Sequence, residues 1–291
     1  MARRTAAIRA GHRAIVLLAA VAFLPVGPAP RAAKALQRIV SINACTDQLL
    51  WALADRGQIA AMTNYAANPA YSLTPDEIAS SGVPLIRGEA EEVLKLKPDL
   101  VLAGSFTRTA TRQRLKAFGL RLETYAPAES IAAAKTDIRR TALMIGQPAR
   151  GEALIAEIDA ALAEARAAIG SRPLRLLQLR RNAYISGKGT LFDDALNQLG
   201  LANAGVESGL KGTRQGSLEA VLKIQPDALV MFDAIDRPGD QGSALLFHPG
   251  LRDSFPEARR VIIDGNEIVC GGPSLPRLLR SLARGVRGLA Q

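Results

Sequence analysis

Few residues in this 291-residue chain are equipped for bond chemistry or metal binding. Cys45 and Cys270 are the only cysteines, and each lies between a strand-like run and a helix start (Thr46-Asp47; Gly271-Gly272-Pro273-Ser274). Three chemistries stay open for them. As thiols at helix N-termini they would have depressed pKa values and could face a ligand or serve an enzyme. As a pair in an oxidising compartment they could form a disulfide, which would tie distant parts of the chain together. As two soft ligands they could bind a bare metal ion. His248, in a Phe-His-Pro-Gly turn, is the one histidine beyond residue 35. That excludes a His-rich zinc site and leaves any His-dependent triad resting on a single residue. No G-x-S-x-G or Walker A pattern occurs. Gly187-Lys188-Gly189 follows a strand-like run, but Phe192 stands where a dinucleotide fingerprint needs its third glycine, so it reads as a strand-to-helix turn. None of these patterns calls for a cofactor or a resident metal.

The elements that must position these residues alternate. Strand-like runs fall at Arg38–Ile42, Gln58–Met62, Asp99–Ala103 and Arg121–Tyr125, then at Leu174–Leu179, Ala228–Phe232 and Arg260–Ile263. Helical patterns cover Asp47–Asp55, Leu191–Leu199 and the stretch from about Pro276. Strands alternating with helices predict parallel βα units and an α/β class. From about Ala149 to Ile169, Leu154, Ile158, Leu162, Ala165 and Ile169 recur at three- and four-residue steps, until Gly170 and Pro173 stop the pattern. About 20 helical residues span roughly 30 Å, enough to cross between two lobes.

An internal repeat supports two lobes. Glu91-Glu92-Val93-Leu94-Lys95-Leu96-Lys97-Pro98-Asp99 matches Glu219-Ala220-Val221-Leu222-Lys223-Ile224-Gln225-Pro226-Asp227 at an offset of 128, with six of nine pairs identical. In each copy a short helix runs into Pro-Asp, which stops it, and an apolar strand follows. The expected organisation is a leader over 1–35, an N-terminal lobe over 36–145, a connecting helix over 146–170 and a C-terminal lobe over 171–291.

The formal charge of +10 hints at nucleic acid or a membrane surface until its location is checked. Residues 1–35 hold six bases and no acid. Their order is a basic start, an apolar run from Ala14 to Val26, and a small-x-small site at Ala33-Lys34-Ala35. That is the layout of a cleavable secretory signal, and the run is too short to span a membrane. The remainder carries a net +4, without the interleaved aromatics that stack on bases, which argues against nucleic acid.

The segments RIVSINACTDQLLWALADRGQIAAMT, EEVLKLKPDLVLAG, YISGKGTLFDDALNQLGLANAG and SLEAVLKIQPDALVM resemble the periplasmic substrate-binding proteins of ABC importers for iron-siderophores and cobalamin. The resemblance covers residues 36–291 and is carried most specifically by the two helix-Pro-Asp-strand repeats. It implies two Rossmann-like α/β lobes, each with a central β-sheet, joined by one long rigid helix, with ligand in the cleft between them. It further implies a monomer in the periplasm whose surface glutamates, here Glu91 and Glu219, dock on arginines of an ABC permease in the inner membrane.

Ligand would then sit at the loops following the strands. In the first lobe these offer Asn43, Cys45, Thr46, Tyr65, Arg87 and Arg108. In the second they offer Tyr184, Thr213, Arg214, Asp233 and Cys270. With 4% aromatics and its one Trp (Trp51) mid-helix, the chain departs from the aromatic-rich clefts of cobalamin binders. Guanidinium groups suit an anionic metal chelate. The expectation is therefore a non-enzymatic binder of a ferric siderophore. Cobalamin is the alternative ligand, and an exported hydrolase or reductase built on the two cysteines is the rival class.

Overall fold

The computed structural model describes residues 36, 38–171, 173–232 and 241–289; the expected leader and Asp233 lie outside the described residues. The first lobe is built from β1 (Ile39–Ser41), α1 (Ala44–Leu53), β2 (Ile59–Thr63), α2 (Pro75–Ser80), β3 (Leu85–Ile86) and α3 (Ala90–Lys95). It continues with β4 (Leu100–Gly104), α4 (Thr109–Ala117), β5 (Leu122–Tyr125) and α5 (Ile131–Met144). Its five strands pair in parallel in the order β3-β2-β1-β4-β5. The central strands β1 and β4 are buried throughout, as a parallel sheet covered on both faces requires.

The 22-residue helix α6 (Pro148–Ile169) follows. It starts on Pro148, whose missing N–H costs nothing in a first turn, and ends at Gly170, which takes φ +70°. Its buried face is Gly151, Ile155, Ile158, Ala161 and Ala165. Leu154, Leu162 and Ile169 lie at the edge of that face, so the seam runs slightly to one side of the stripe the sequence indicates.

The second lobe contains β6 (Arg175–Gln178), β7 (Tyr184–Ser186), α7 (Leu191–Gln198), β8 (Ala202–Asn203), α8 (Ala204–Glu207) and β9 (Thr213–Gln215). It ends with α9 (Leu218–Ile224), β10 (Ala228–Phe232), α10 (Pro249–Ser254), β11 (Arg260–Ile263), α11 (Gly265–Ile268) and α12 (Leu275–Gly288). Four strands form a parallel sheet in the order β11-β10-β6-β8, and β7 pairs antiparallel with β9. Helix α6 packs on α5 of the first lobe and on α12 of the second. One hydrophobic cluster runs through it, from Leu50 and Ile138 to Leu196 and Leu279.

The internal repeat is structural as well as sequential. Lys97 and Gln225, partners at the 128-residue offset, both take a left-handed conformation (φ +46° and +49°) directly before Pro98 and Pro226. Asp99 Oδ2 then accepts from the Arg38 backbone N–H at 3.0 Å, and Asp227 Oδ2 from that of Arg175 at 2.7 Å. Each arginine also reaches back to helix-end carbonyls: Arg38 to Leu96, Arg175 to Gln225. The Pro-Asp unit thus reverses the chain after the helix and pins it to the first strand of its own sheet.

Candidate functional site

A cavity of about 550 Å³ opens between the lobes, where the carboxyl ends of both parallel sheets face each other. This is the usual binding position of open α/β sheets, and the volume is that of an ordinary small-molecule site. From the first lobe it is lined by the β1–α1 turn (Asn43, Cys45, Thr46), by Ser105 and Phe106 after β4, and by Ala126–Glu129 after β5. From the second it is lined by Gln178 and Arg180 at the end of β6, Ser186, Thr213, the start of α7, and the segment Ile268–Gly272.

The β1–α1 turn is fixed locally. Asn43 caps α1, its Oδ1 accepting from the Cys45 N–H at 3.0 Å, so the helix begins three residues before the Asp47 start read from the sequence. The Thr46 hydroxyl sits 2.7 Å from that of Ser41 and donates to the Asn43 carbonyl at 3.0 Å. Gly104 lies so close to Asn43 that a Cβ there would come within 2.7 Å of its amide. Behind the turn, Asp47 is buried and accepts from the N–H and hydroxyl of Thr63. Burial pushes its carboxyl up to about 7, against the opposing effect of hydrogen bonds from Ser41 and Thr63.

Cys45 and Cys270 form a disulfide with Cα atoms 5.3 Å apart, joining the first turn of α1 to the segment before α12. Both sulfurs are therefore committed to this bond, and neither is a free thiol. Among the described residues there is no group of three or more His, Cys, Asp or Glu side chains that could hold a metal ion. The bond belongs to a wider staple. Asn266 donates to the carbonyls of Pro69 (3.1 Å) and Ser72 (3.0 Å), and the Ile131 N–H donates to Asp194 across the cleft at 2.8 Å. Gly271 is held between Leu191 and Ala128, where a Cβ would lie 2.6 Å and 3.2 Å from their side chains.

Of the residues singled out from the sequence, Asn43, Cys45, Thr46, Thr213 and Cys270 are brought together on the cavity wall. Others stand outside it. Tyr65 is half exposed and packs edge-on against Tyr71. Arg87 is exposed, and Arg108 is paired with Glu89 at 3.3 Å. Tyr184 and Arg214 lie on the β7–β9 ribbon without lining the cavity. Glu91 and Glu219 are exposed in the first turns of α3 and α9. Glu91 is ion-paired with Arg114 at 2.7 Å. The Glu219 carboxyl is held below its ordinary pKa, chiefly by the Ser217 hydroxyl and also by its own backbone N–H and nearby His248.

Glu129 and Arg180 are among the wall residues that escaped the sequence reading, whereas Phe106, 84% exposed, lies in the loop after β4 that was expected at the cleft. Alternation along β6 carries a signal for one of them, since Leu176, Gln178 and Arg180 share a face and the last two reach the cavity. Arg180 is exposed, yet desolvation by the surrounding wall lowers the pKa of its guanidinium, and among the described residues no side chain pairs with it.

A family model described as Periplasmic binding protein matches residues 39–251. The cobalamin-binding protein of Halobacterium salinarum (strain ATCC 29341 / DSM 671 / R1) is 26% identical over 255 residues, 85% of this chain and 68% of that protein. The periplasmic heme-binding protein RhuT from Roseiflexus sp. RS-1, in apo form, superimposes with a TM-score of 0.70 at 27% identity, over 88% of this chain and 99% of its own. An ABC-type Fe3+-hydroxamate transport system protein from Saccharomonospora viridis DSM 43017 shares the fold, with a TM-score of 0.67 at 16% identity over 86% of this chain and 93% of its own. With two parallel-sheet lobes, a connecting helix and a match across most of its length, this chain belongs to the periplasmic binding protein family.

Proposed function

We propose that the protein is exported to the periplasm, captures a metal chelate of the siderophore class in the interlobe cavity, and delivers it to an ABC importer in the inner membrane. The observation that carries the choice of ligand is the chemistry of the cavity wall. Heme iron is held in proteins by His, Cys, Met or Tyr. Among the described wall residues the one tyrosine is Tyr125, whose hydroxyl is buried 2.7 Å from that of Thr141, and both cysteines are in the disulfide. The stretch 233–240 contains none of these residue types in its sequence. Such a wall favours a chelate whose metal is already fully coordinated, and the Arg180 guanidinium, unpaired among the described residues, favours one that carries negative charge.

Cobalamin is the second reading, favoured by the likeness to the Halobacterium protein. Calorimetry of the mature protein with ferric trihydroxamate, ferric tricatecholate, cyanocobalamin and hemin tests both. Micromolar or tighter binding of a ferric siderophore is expected. Binding of cyanocobalamin alone moves the assignment to the second reading, and binding of none of the four overturns the function.

A further inference from the structure

Arg180 and Glu129 line one cavity from opposite lobes. Arg180 follows β6, and Glu129 stands just before Ser130, the cap of α5. Among the described residues neither side chain has an ion-pair or hydrogen-bond partner, and the two do not pair with each other. The other carboxylate among the described wall residues, Asp137, is already paired with Arg140 at 3.2 Å. The lobes are held by helix α6, the Cys45–Cys270 bond, the Asn266 hydrogen bonds and the Ile131–Asp194 contact. Arg180 and Glu129 are both exposed, so their charges are available to a molecule that enters the cavity.

We propose that Arg180 and Glu129 read the two ends of a dipolar chelate: an anionic arm, carboxylate or phenolate, on Arg180 and a protonated amine on Glu129. This rests on the siderophore-class reading and narrows it, because an anionic chelate alone would leave Glu129 facing it with like charge. The guanidinium is planar and always ionised, so it can grip a carboxylate through two parallel N–H bonds. Glu129 supplies a complementary acceptor. Its main effect is to penalise chelates without a cation at that end, which is how a binding site gains specificity through repulsion. Phe106, with 84% of its surface exposed on the same wall, gives the apolar middle of such a molecule a surface to cover.

The test uses one ferric trihydroxamate scaffold with four end groups: free amine, N-acetyl, carboxylate, and carboxylate plus amine. Binding is measured by calorimetry to wild type, Arg180→Gln and Glu129→Gln, all shown by thermal melts to be folded. The doubly charged probe is expected to bind wild type most tightly. Arg180→Gln should weaken the two carboxylate probes by roughly tenfold or more while leaving the amine probe unchanged. Glu129→Gln should weaken the two amine probes and spare or improve the N-acetyl probe. Equal losses for all four probes, or silence of Glu129→Gln throughout, overturns the proposal while the siderophore reading stands. Wild type binding other siderophores but none of these four overturns it in the same way. Failure of wild type to bind any chelate overturns that reading itself, and this proposal with it.

Discussion

Cys45 and Cys270 are 225 residues apart in sequence and 5.3 Å apart at their Cα atoms, and both line the interlobe cavity. A cross-link of that span restricts the unfolded chain strongly, and the loop-entropy model assigns it about 5 kcal/mol at 25 °C. The Cys45→Ser/Cys270→Ser double variant is therefore expected to melt well below wild type. It should also bind its chelate more weakly, since the Ile268–Gly272 wall loses its anchor. Thermal melts with and without reductant check this. An unchanged melting temperature would show that α6 and the Asn266 contacts alone hold the lobes.

Asp47 should make the fold less stable as pH rises. Its folded-state pKa of about 7 lies above the ordinary 3.8. Below about pH 4 the carboxyl is protonated whether the chain is folded or not, so burial carries no penalty. Between there and 7 the unfolded chain releases a proton that the folded chain retains, and stability falls with pH until both forms are ionised. The total is on the order of 4 kcal/mol at most, from a shift of about three units. Asp47→Asn should flatten this slope, with its largest relative gain near pH 8. Urea melts at pH 4.5, 6 and 8 measure it, and parallel slopes for wild type and variant would contradict it.

How far the sequence could be read depended on whether the determinant was local. The helix-Pro-Asp-strand repeats, the α6 stripe and the apolar runs of β10 and β11 are local patterns, and their elements appear at or within a residue or two of the expected bounds. The left-handed turns at Lys97 and Gln225 carry no such mark, because neither residue type favours positive φ; tertiary pinning by Asp99 and Asp227 imposes them. The cavity was harder still. Every arginine chosen as a cleft residue was expected in a loop after a strand, yet Arg108 turns to Glu89 and Arg214 lies within β9. Arg180 reaches the cavity because it continues the inward face of β6. Which of several loop cations points inward is decided by neighbours far away in sequence.

Gly104 is expected to tolerate no side chain. A methyl group there would collide with the Asn43 amide that caps α1, and overpacking of this kind costs about 1–3 kcal/mol. Gly57, which has no atom within 4 Å of a built Cβ and no positive φ, provides the control. Gly104→Ala should lower the melting temperature and Gly57→Ala should not; equal behaviour of the two would remove the steric argument.

Glu91 and Glu219, which we propose dock on the permease, are expected to contribute unequally to transport. Both stand in the first turn of the repeated helix; Glu219 is held by the Ser217 hydroxyl and its own backbone N–H but has no ion pair with Lys or Arg among the described residues, whereas Glu91 already holds Arg114 at 2.7 Å. An exposed ion pair contributes little to stability, so an incoming guanidinium can displace Arg114, but the exchange offsets part of the gain at that lobe. Glu219→Arg should therefore reduce uptake in proteoliposomes more than Glu91→Arg, and the double variant should abolish it, with chelate affinity unchanged in all three. Arg114→Ala should release Glu91 and raise affinity for the permease. Equal uptake by all variants would place the docking surface elsewhere. Lost uptake together with lost chelate affinity would mean that the substitutions act on the cavity instead of on the permease contact.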